Sequence, residues 1–165
     1  MVNSENKTMF NVLNDFRKLI MEKILSNQEL LKLVSISNDN PLSFEDIEDV
    51  QSLVNDCIWF KPKSFDTVEN EKCFLITRMS VVPVYDKSEF ASFKVDFYIL
   101  VHNKLIDLYN DDNRAICICD CIHRMFHEAE GNWLGKISFN GYRQIVAPYS
   151  YDGMSLSYEL TQFKW

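Results

Sequence analysis

The stretch FASFKVDFYILVH, residues 90–102, decides the fold. Apolar and mostly polar side chains alternate through it, and a period of two residues is typical of a β-strand with one buried face. The expected core face consists of Ala91, Phe93, Val95, Phe97, Ile99 and Val101. The other face is half polar but carries Tyr98 and Leu100. We therefore predict a long strand with a buried face and a second face that something covers.

Shorter stretches on either side have the same character. We predict strands over CIWF (57–60), over residues 73–82 with Pro83 at a strand end or sheet edge, and over most of 135–146 and 154–163. A proline cannot donate to a sheet ladder, so it marks such a position. These segments predict four or five strands joined mostly as antiparallel neighbours.

Helical spacing of apolar residues occupies the rest of the chain. We predict helices over residues 7–25, 26–34, 43–56 and 112–130. The first helix should bury one stripe, formed by Phe10, Leu13, Phe16, Leu19, Ile20 and Ile24. Ser26 and Glu29 fit a capping box for the second helix. Ser43 fits the N-cap of the third, with acidic residues in its first turn.

The order of these elements predicts an α+β domain. N-terminal helices and one helix of the C-terminal half should pack on a mostly antiparallel sheet of four or five strands. A chain of 165 residues suits a single domain, here 1–165. Within it, residues 1–56 form the predicted helical part, and residues 57–165 form the sheet with the helix at 112–130.

The net charge of −7 is local. Residues 39–71 contain nine acidic residues and two lysines, which accounts for the whole excess. Such a surface repels the phosphate backbone and argues against a nucleic-acid-binding module. A solvated helix face explains the acids equally well. No apolar run approaches the roughly 18 residues of a membrane span, and we expect a soluble protein made in the cytoplasm.

Three cysteines and two histidines crowd the stretch RAICICDCIHRMFHEAEG at 114–131. On a helix, Cys117 and Cys121 lie on one flank, whereas His123 and His127 lie on another side. Structural zinc needs four ligands around one ion. The two pairs do not converge, so we expect structural thiols and surface histidines, with no metal and no cofactor.

Motifs of catalysis are missing from the sequence. All four glycines follow residue 130, so no phosphate-binding glycine loop precedes them. Neither G-x-S-x-G nor H-E-x-x-H occurs. We therefore expect no enzymatic activity, although a cysteine or acidic catalytic site is the remaining alternative.

Aromatic side chains in loops and near element ends favour protein–protein contact, since Tyr and Trp are enriched at interface cores. The candidate interface residues are Trp59, Phe60, Phe65, Tyr98, Leu100, Trp133, Tyr149, Tyr151 and Trp165.

The order of elements and the C-terminal stretch resemble a known family. The sequence FNGYR (139–143) is followed by a Pro-Tyr loop, by Gly153 and by an alternating strand containing YEL. With the strand patterns around VVPVYD and FKVDFYILVHN, this ending is similar to that of the tail completion, or tail terminator, proteins of long-tailed bacteriophages. The resemblance covers most of the chain.

The resemblance implies a function in the virion. Such proteins form a ring, typically sixfold, on the head-proximal end of the tail tube, where they stop polymerisation and dock to the connector or stopper. The expected partners are copies of the chain itself, the tube protein and the connector or stopper. DNA should pass through without specific binding, which an acidic lining would serve. The candidate lining residues are Glu45, Asp46, Glu48 and Asp49.

Two other functions remain open at this point. A neighbouring connector or stopper ring belongs to the same class of virion proteins. A soluble adaptor that binds a partner through its aromatic residues belongs to a different class.

Overall fold

The computed structural model describes residues 8–61, 71–83, 90–127, 137–147 and 150–164. Within these residues, three α-helices pack against a five-stranded mixed sheet. The predicted α+β fold is confirmed.

Helix α1 spans Met9–Leu25 and helix α2 spans Gln28–Ser35. The predicted capping box of α2 is wrong in its residues, because the Asn27 side chain accepts the hydrogen bond from the Leu30 amide at 3.0 Å. Ser26 instead ends α1, and its hydroxyl donates to the Glu22 carbonyl. The break between the helices thus uses two polar residues, one for each helix end.

The buried stripe of α1 differs from the prediction at its first turn. Val12, Phe16, Ile20 and Ile24 are fully buried, whereas Phe10 is 70% exposed. Phe10 lies in the first turn, beside a groove described below.

The predicted helix over 43–56 does not form. Its place is taken by two short 3-10 turns, Pro41–Ser43 and Val50–Leu53, with irregular chain between them. Gln28 holds this chain, because its side chain accepts from the Ile47 amide at 2.8 Å and donates to the Ile47 carbonyl at 3.2 Å. These long-range bonds satisfy backbone groups that a helix would have paired internally, so local helix signals are overridden.

Helix α3 spans Arg114–Phe126, shorter than predicted at both ends. The Asn113 side chain caps it by accepting from the Ile116 amide at 3.2 Å.

The strands are β1 (Ile58–Trp59), β2 (Cys73–Pro83), β3 (Phe90–His102), β4 (Ile137–Ile145) and β5 (Tyr151–Lys164). Their order across the sheet is β1-β2-β3-β5-β4. The two-residue strand β1 runs parallel to β2, and the other neighbours are antiparallel. The bounds of β3 match the quoted stretch residue for residue.

All three helices lie on one face of the sheet, here called the covered face. Its side chains from β3 are fully buried in the main core, namely Phe93, Val95, Phe97, Ile99 and Val101. Burial of Leu156, Tyr158 and Leu160 on β5 extends this core. Apolar area removed from water here supplies most of the driving force for folding.

Candidate interaction surface

The second face of the sheet is here called the open face. Its apolar cluster contains no side chain from helices α1 to α3. Phe74, Ile76 and Leu100 form the buried centre of that cluster. The partly buried residues packed around them are Trp59, Tyr98, Ile145, Ala147 and Tyr151. We call these eight residues the open-face patch.

Aromatic contacts hold the patch together. The ring of Tyr151 lies 6.0 Å from that of Phe74 and 5.3 Å from that of His102, the latter edge-on. The Trp59 indole nitrogen donates to the Asp56 carbonyl at 3.1 Å. Aromatic rings with a satisfied polar tip at the margin of an apolar cluster are typical of protein-binding surfaces.

The patch unites three of the predicted interface residues, Trp59, Tyr98 and Tyr151. Leu100 belongs to it but is only 3% exposed. The expectation that Leu100 itself presents a contact is therefore wrong, because Phe74, Ile76 and their neighbours already bury it.

Phe60 lies elsewhere. Its side chain packs against the main core on the covered side of the sheet. The candidates Phe65, Trp133, Tyr149 and Trp165 lie outside the described residues.

The rest of the open face is polar. The Lys94 ammonium lies 3.1 Å from the Asp96 carboxylate, which also accepts a bond from the Ser157 hydroxyl at 2.8 Å. Ser155 and Arg143 border the same shallow depression of about 190 Å³. The open face is thus divided into an apolar half and a polar half with both charge signs.

The cysteines of α3 are packing residues. Cys121 is 1% exposed and belongs to the main core, and burial raises its pKa to about 12. Burial likewise raises the pKa of Cys119 to about 12, and its sulfur lies 3.7 Å from that of Met154. Nucleophilic cysteines need a lowered pKa, so these thiols stay protonated at neutral pH.

Of the two histidines predicted at the surface, His127, which caps the C-terminal end of α3, is exposed as expected, whereas His123 differs from the prediction. His123 is partly buried, and its Nδ1 lies 3.2 Å from the Tyr158 hydroxyl. Its ring also meets that of Phe139 edge-on at 4.9 Å. His127 stacks on His123 at 4.4 Å. The pair therefore joins α3 to the strands β4 and β5.

The described part of the chain contains no group of three or more His, Cys, Asp and Glu residues placed to hold a metal ion. None of its helices is both long enough and apolar enough to cross a membrane.

The predicted lining acids lie in the irregular segment rather than on a helix. Asp46 pairs with Lys32 at 2.8 Å, and Asp49 accepts from the Ser52 amide at 3.2 Å. Glu45 and Glu48 are exposed to solvent. Their location on a DNA conduit stays a prediction.

A buried arginine escaped the sequence analysis. The Arg114 side chain is 0% exposed, and its guanidinium donates to four backbone carbonyls. The acceptors are Leu105 at 2.7 Å, Leu33 at 3.0 Å, Ile36 at 2.8 Å, and Asn38. Two of these carbonyls belong to the C-terminal end of α2, where the helix dipole favours a cation. Burial lowers the pKa of Arg114, and the neighbouring Cys73 opposes that shift.

The fold and the open face define an α+β domain whose helices leave one sheet face to other contacts. A family model described as YomW matches residues 27–160. The chain therefore belongs to the YomW family, a phage-derived family of the SPbeta prophage type. No curated protein matches the chain significantly.

Proposed function

We propose that the chain is a structural virion protein of the phage head–tail junction, of the tail terminator type. It forms a ring, sixfold by analogy, that caps the head-proximal end of the tail tube and ends tube polymerisation. The same ring joins the tube to the head connector or stopper. DNA passes through the ring without specific binding, and assembly takes place in the host cytoplasm.

The open face of the sheet in a phage-derived chain supports this proposal above all. A ring protein needs surfaces for its neighbours in the ring and for the rings above and below. The open-face patch offers aromatic side chains of the kind that anchor interfaces, and its polar half offers a rim. The membership in a phage-derived family agrees with a role in the virion.

Electron microscopy of a lysate from a phage that lacks this gene tests the proposal. Unjoined heads beside tails of uncontrolled length are the expected result, because nothing then ends tube growth. Tails of normal length beside separate heads would indicate that the chain is a connector or stopper protein and not a terminator. Intact infectious virions would overturn the structural role and favour a soluble adaptor.

A further inference from the structure

A groove of about 540 Å³ lies between the N-terminal half of α1 and the outer edge of β2. Phe10, Leu13, Phe60 and Met79 give it apolar walls. Phe10 is 70% exposed at its mouth, whereas the other apolar residues of α1 are buried or partly buried. Large apolar side chains exposed at a groove commonly mark an interaction site.

The floor of the groove holds a polar atom that lacks a partner. Thr77 is 4% exposed, and within the described structure its hydroxyl forms no hydrogen bond. Leaving a buried hydroxyl unpaired is unfavourable, because the group loses its bonds to water and gains none in the protein. A hydroxyl in this state at the floor of a groove points to an occupant that supplies the missing bond.

The edge of β2 is unpaired along the same groove. Strand β1 pairs with β2 only at Leu75 and Ile76. The Leu75 amide donates outward to the Cys57 carbonyl at 2.9 Å, and the pairing of Trp59 with Ile76 uses the next outward amide, that of Thr77. By alternation, Met79 and Val81 are the next residues whose backbone groups point outward. No strand among the described residues forms hydrogen bonds with these outward backbone groups. Such an edge accepts hydrogen bonds from a second chain.

The charge around the groove is opposite to that of the chain as a whole. Arg17, Lys61 and Arg78 border it, and no acidic residue lines it. Within the described residues, no carboxylate forms an ion pair with any of the three. The Lys61 ammonium lies 5.6 Å from the centre of the Trp59 ring, and Arg78 is the cross-strand partner of Asp96 at the border with the open face. A protein with a net charge of −7 thus carries a cationic, apolar groove.

The chain itself presents a segment with the complementary chemistry. In PLSFEDIED, residues 41–49, Leu42 and Phe44 are each 47% exposed. The same segment carries the four acids that include the exposed Glu45 and Glu48. Within one copy of the chain, Gln28 and Lys32 hold this segment against α2, and no residue of the segment lines the groove of that copy.

We infer that the groove between α1 and β2 binds residues 41–49 of a second copy of this chain. Leu42 and Phe44 enter the apolar groove, and a polar group of the segment bonds the Thr77 hydroxyl. The exposed Glu45 and Glu48 meet Arg17, Lys61 and Arg78, which places them at the contact between copies instead of on the DNA conduit. The groove and the segment are different surfaces, so the contact is head-to-tail, as a ring requires. This inference rests on the proposed ring and names what one copy presents to the next.

Fluorescence anisotropy of a labelled peptide, NPLSFEDIEDV (residues 40–50), with the full-length protein tests the contact directly. Saturable binding that weakens as salt increases is the expected result. The double variant Arg17→Glu with Arg78→Glu should weaken binding at least tenfold. Lys18→Glu, an exposed cation of α1 outside the groove, should leave it unchanged.

Two further variants separate binding from folding. Thr77→Val should raise the melting temperature of the free protein, since the unpaired hydroxyl is gone. The same substitution should weaken binding of the peptide several-fold. A peptide with Leu42→Ser and Phe44→Ser, and another with its acids replaced by amides, should each bind poorly. Absence of saturable binding, or equal binding to the Arg17/Arg78 and Lys18 variants, would overturn the inference.

The outcome does not depend on tail assembly. If the peptide binds as described but a phage lacking the gene gives intact virions, the groove contact stands and the head–tail function falls. If tails lengthen in that phage but the peptide fails to bind, the function stands and the second copy is not the occupant.

Discussion

The two faces of the central sheet differ in how completely helices α1 to α3 cover them. On the covered face, helices α1 to α3 bury every β3 side chain from Phe93 to Val101 that points toward them. On the open face, a small aromatic cluster adjoins serines and the Lys94–Asp96 pair. The β3 side chains of the covered face are fully buried, whereas the rings of Tyr98 and Tyr151 on the open face are only partly buried. The covered face therefore holds the core of the fold, and we propose that the open face of the same strands serves recognition.

Neighbouring residues of β3 test this division most strongly. Phe97→Ala should lower the free energy of unfolding by about 3–5 kcal/mol, since its ring is fully buried and stacks on Phe126 at 5.3 Å. Tyr98→Ala, on the open face, should cost only about 1 kcal/mol. Urea denaturation monitored by circular dichroism measures both. Equal losses would show that the open face stabilises the fold as much as the covered face.

The buried arginine provides the next largest effect. Arg114→Lys should lower the free energy of unfolding by about 2–4 kcal/mol, because an ammonium cannot reach the carbonyls of Leu33, Leu105 and their neighbours in one planar fork. Thermal and urea unfolding of the purified variant measure the loss.

An exposed arginine serves as the control for this substitution. Arg17→Lys, on α1, should change stability by less than about 0.5 kcal/mol. If both variants unfold at the same urea concentration as the unmodified protein, Arg114 is not the link between α2 and α3 described above.

A glycine on the open face gives a smaller effect. A Cβ at Gly153 would lie 2.7 Å from Ile145 Cγ1 and 3.0 Å from the Ile145 carbonyl oxygen. Gly153→Ala should therefore cost about 1–2 kcal/mol through overpacking between β4 and β5. In an Ile145→Ala background, which removes Cγ1, the same substitution should cost less. A double-mutant cycle by urea denaturation tests this coupling, and strict additivity would contradict it.

The exposed ion pair between helices α2 and α3 should contribute least to the free energy of unfolding. Arg124 holds the pKa of Glu29 below its usual value, across a contact of 2.7 Å. The Glu29 side chain is 42% exposed, so solvent screening limits the pair to about 0.5 kcal/mol.

The sign of this small effect follows from the lowered pKa. The stabilisation by the Glu29–Arg124 ion pair is fully present above the unfolded-state pKa of Glu29, 4.5. It is lost as the pH falls through the lower folded-state pKa. Glu29→Gln should thus be slightly less stable than the unmodified protein at pH 7. The difference should vanish in acid, as urea midpoints at pH 7 and pH 2.5 would show. A constant difference at both pH values would assign the loss to packing.

The sequence predicted the sheet better than the N-terminal part. Alternation in residues 90–102 predicted the bounds of β3, because every second side chain from Phe93 to Val101 is apolar and fully buried. The acids and Ser43 predicted a helix over 43–56, but Gln28 holds the Ile47 backbone from outside the segment. Local capping signals carry no information about such distant partners.

The candidate surface was predictable only in part. The aromatic composition indicated Trp59, Tyr98 and Tyr151, whose assembly into one patch depends on the parallel pairing of β1 with β2. Arg114 gave no signal, because its acceptors are backbone carbonyls and three of them lie more than 70 residues away. The orphaned Thr77 hydroxyl likewise appears only once α1 is packed against β2.

Complementation of a phage lacking this gene with Tyr98→Asp tests most directly whether the open face performs the proposed function. A control is Tyr109→Asp, since Tyr109 is 67% exposed and lies outside the open-face patch. Both variants should fold, although loss of the Tyr98 ring from the apolar cluster should lower the melting temperature by a few degrees. We expect Tyr98→Asp to leave unjoined heads and tails of uncontrolled length, whereas Tyr109→Asp restores infectious virions. Normal virions from the Tyr98→Asp protein would contradict the account, because the open face would then be unnecessary for the junction.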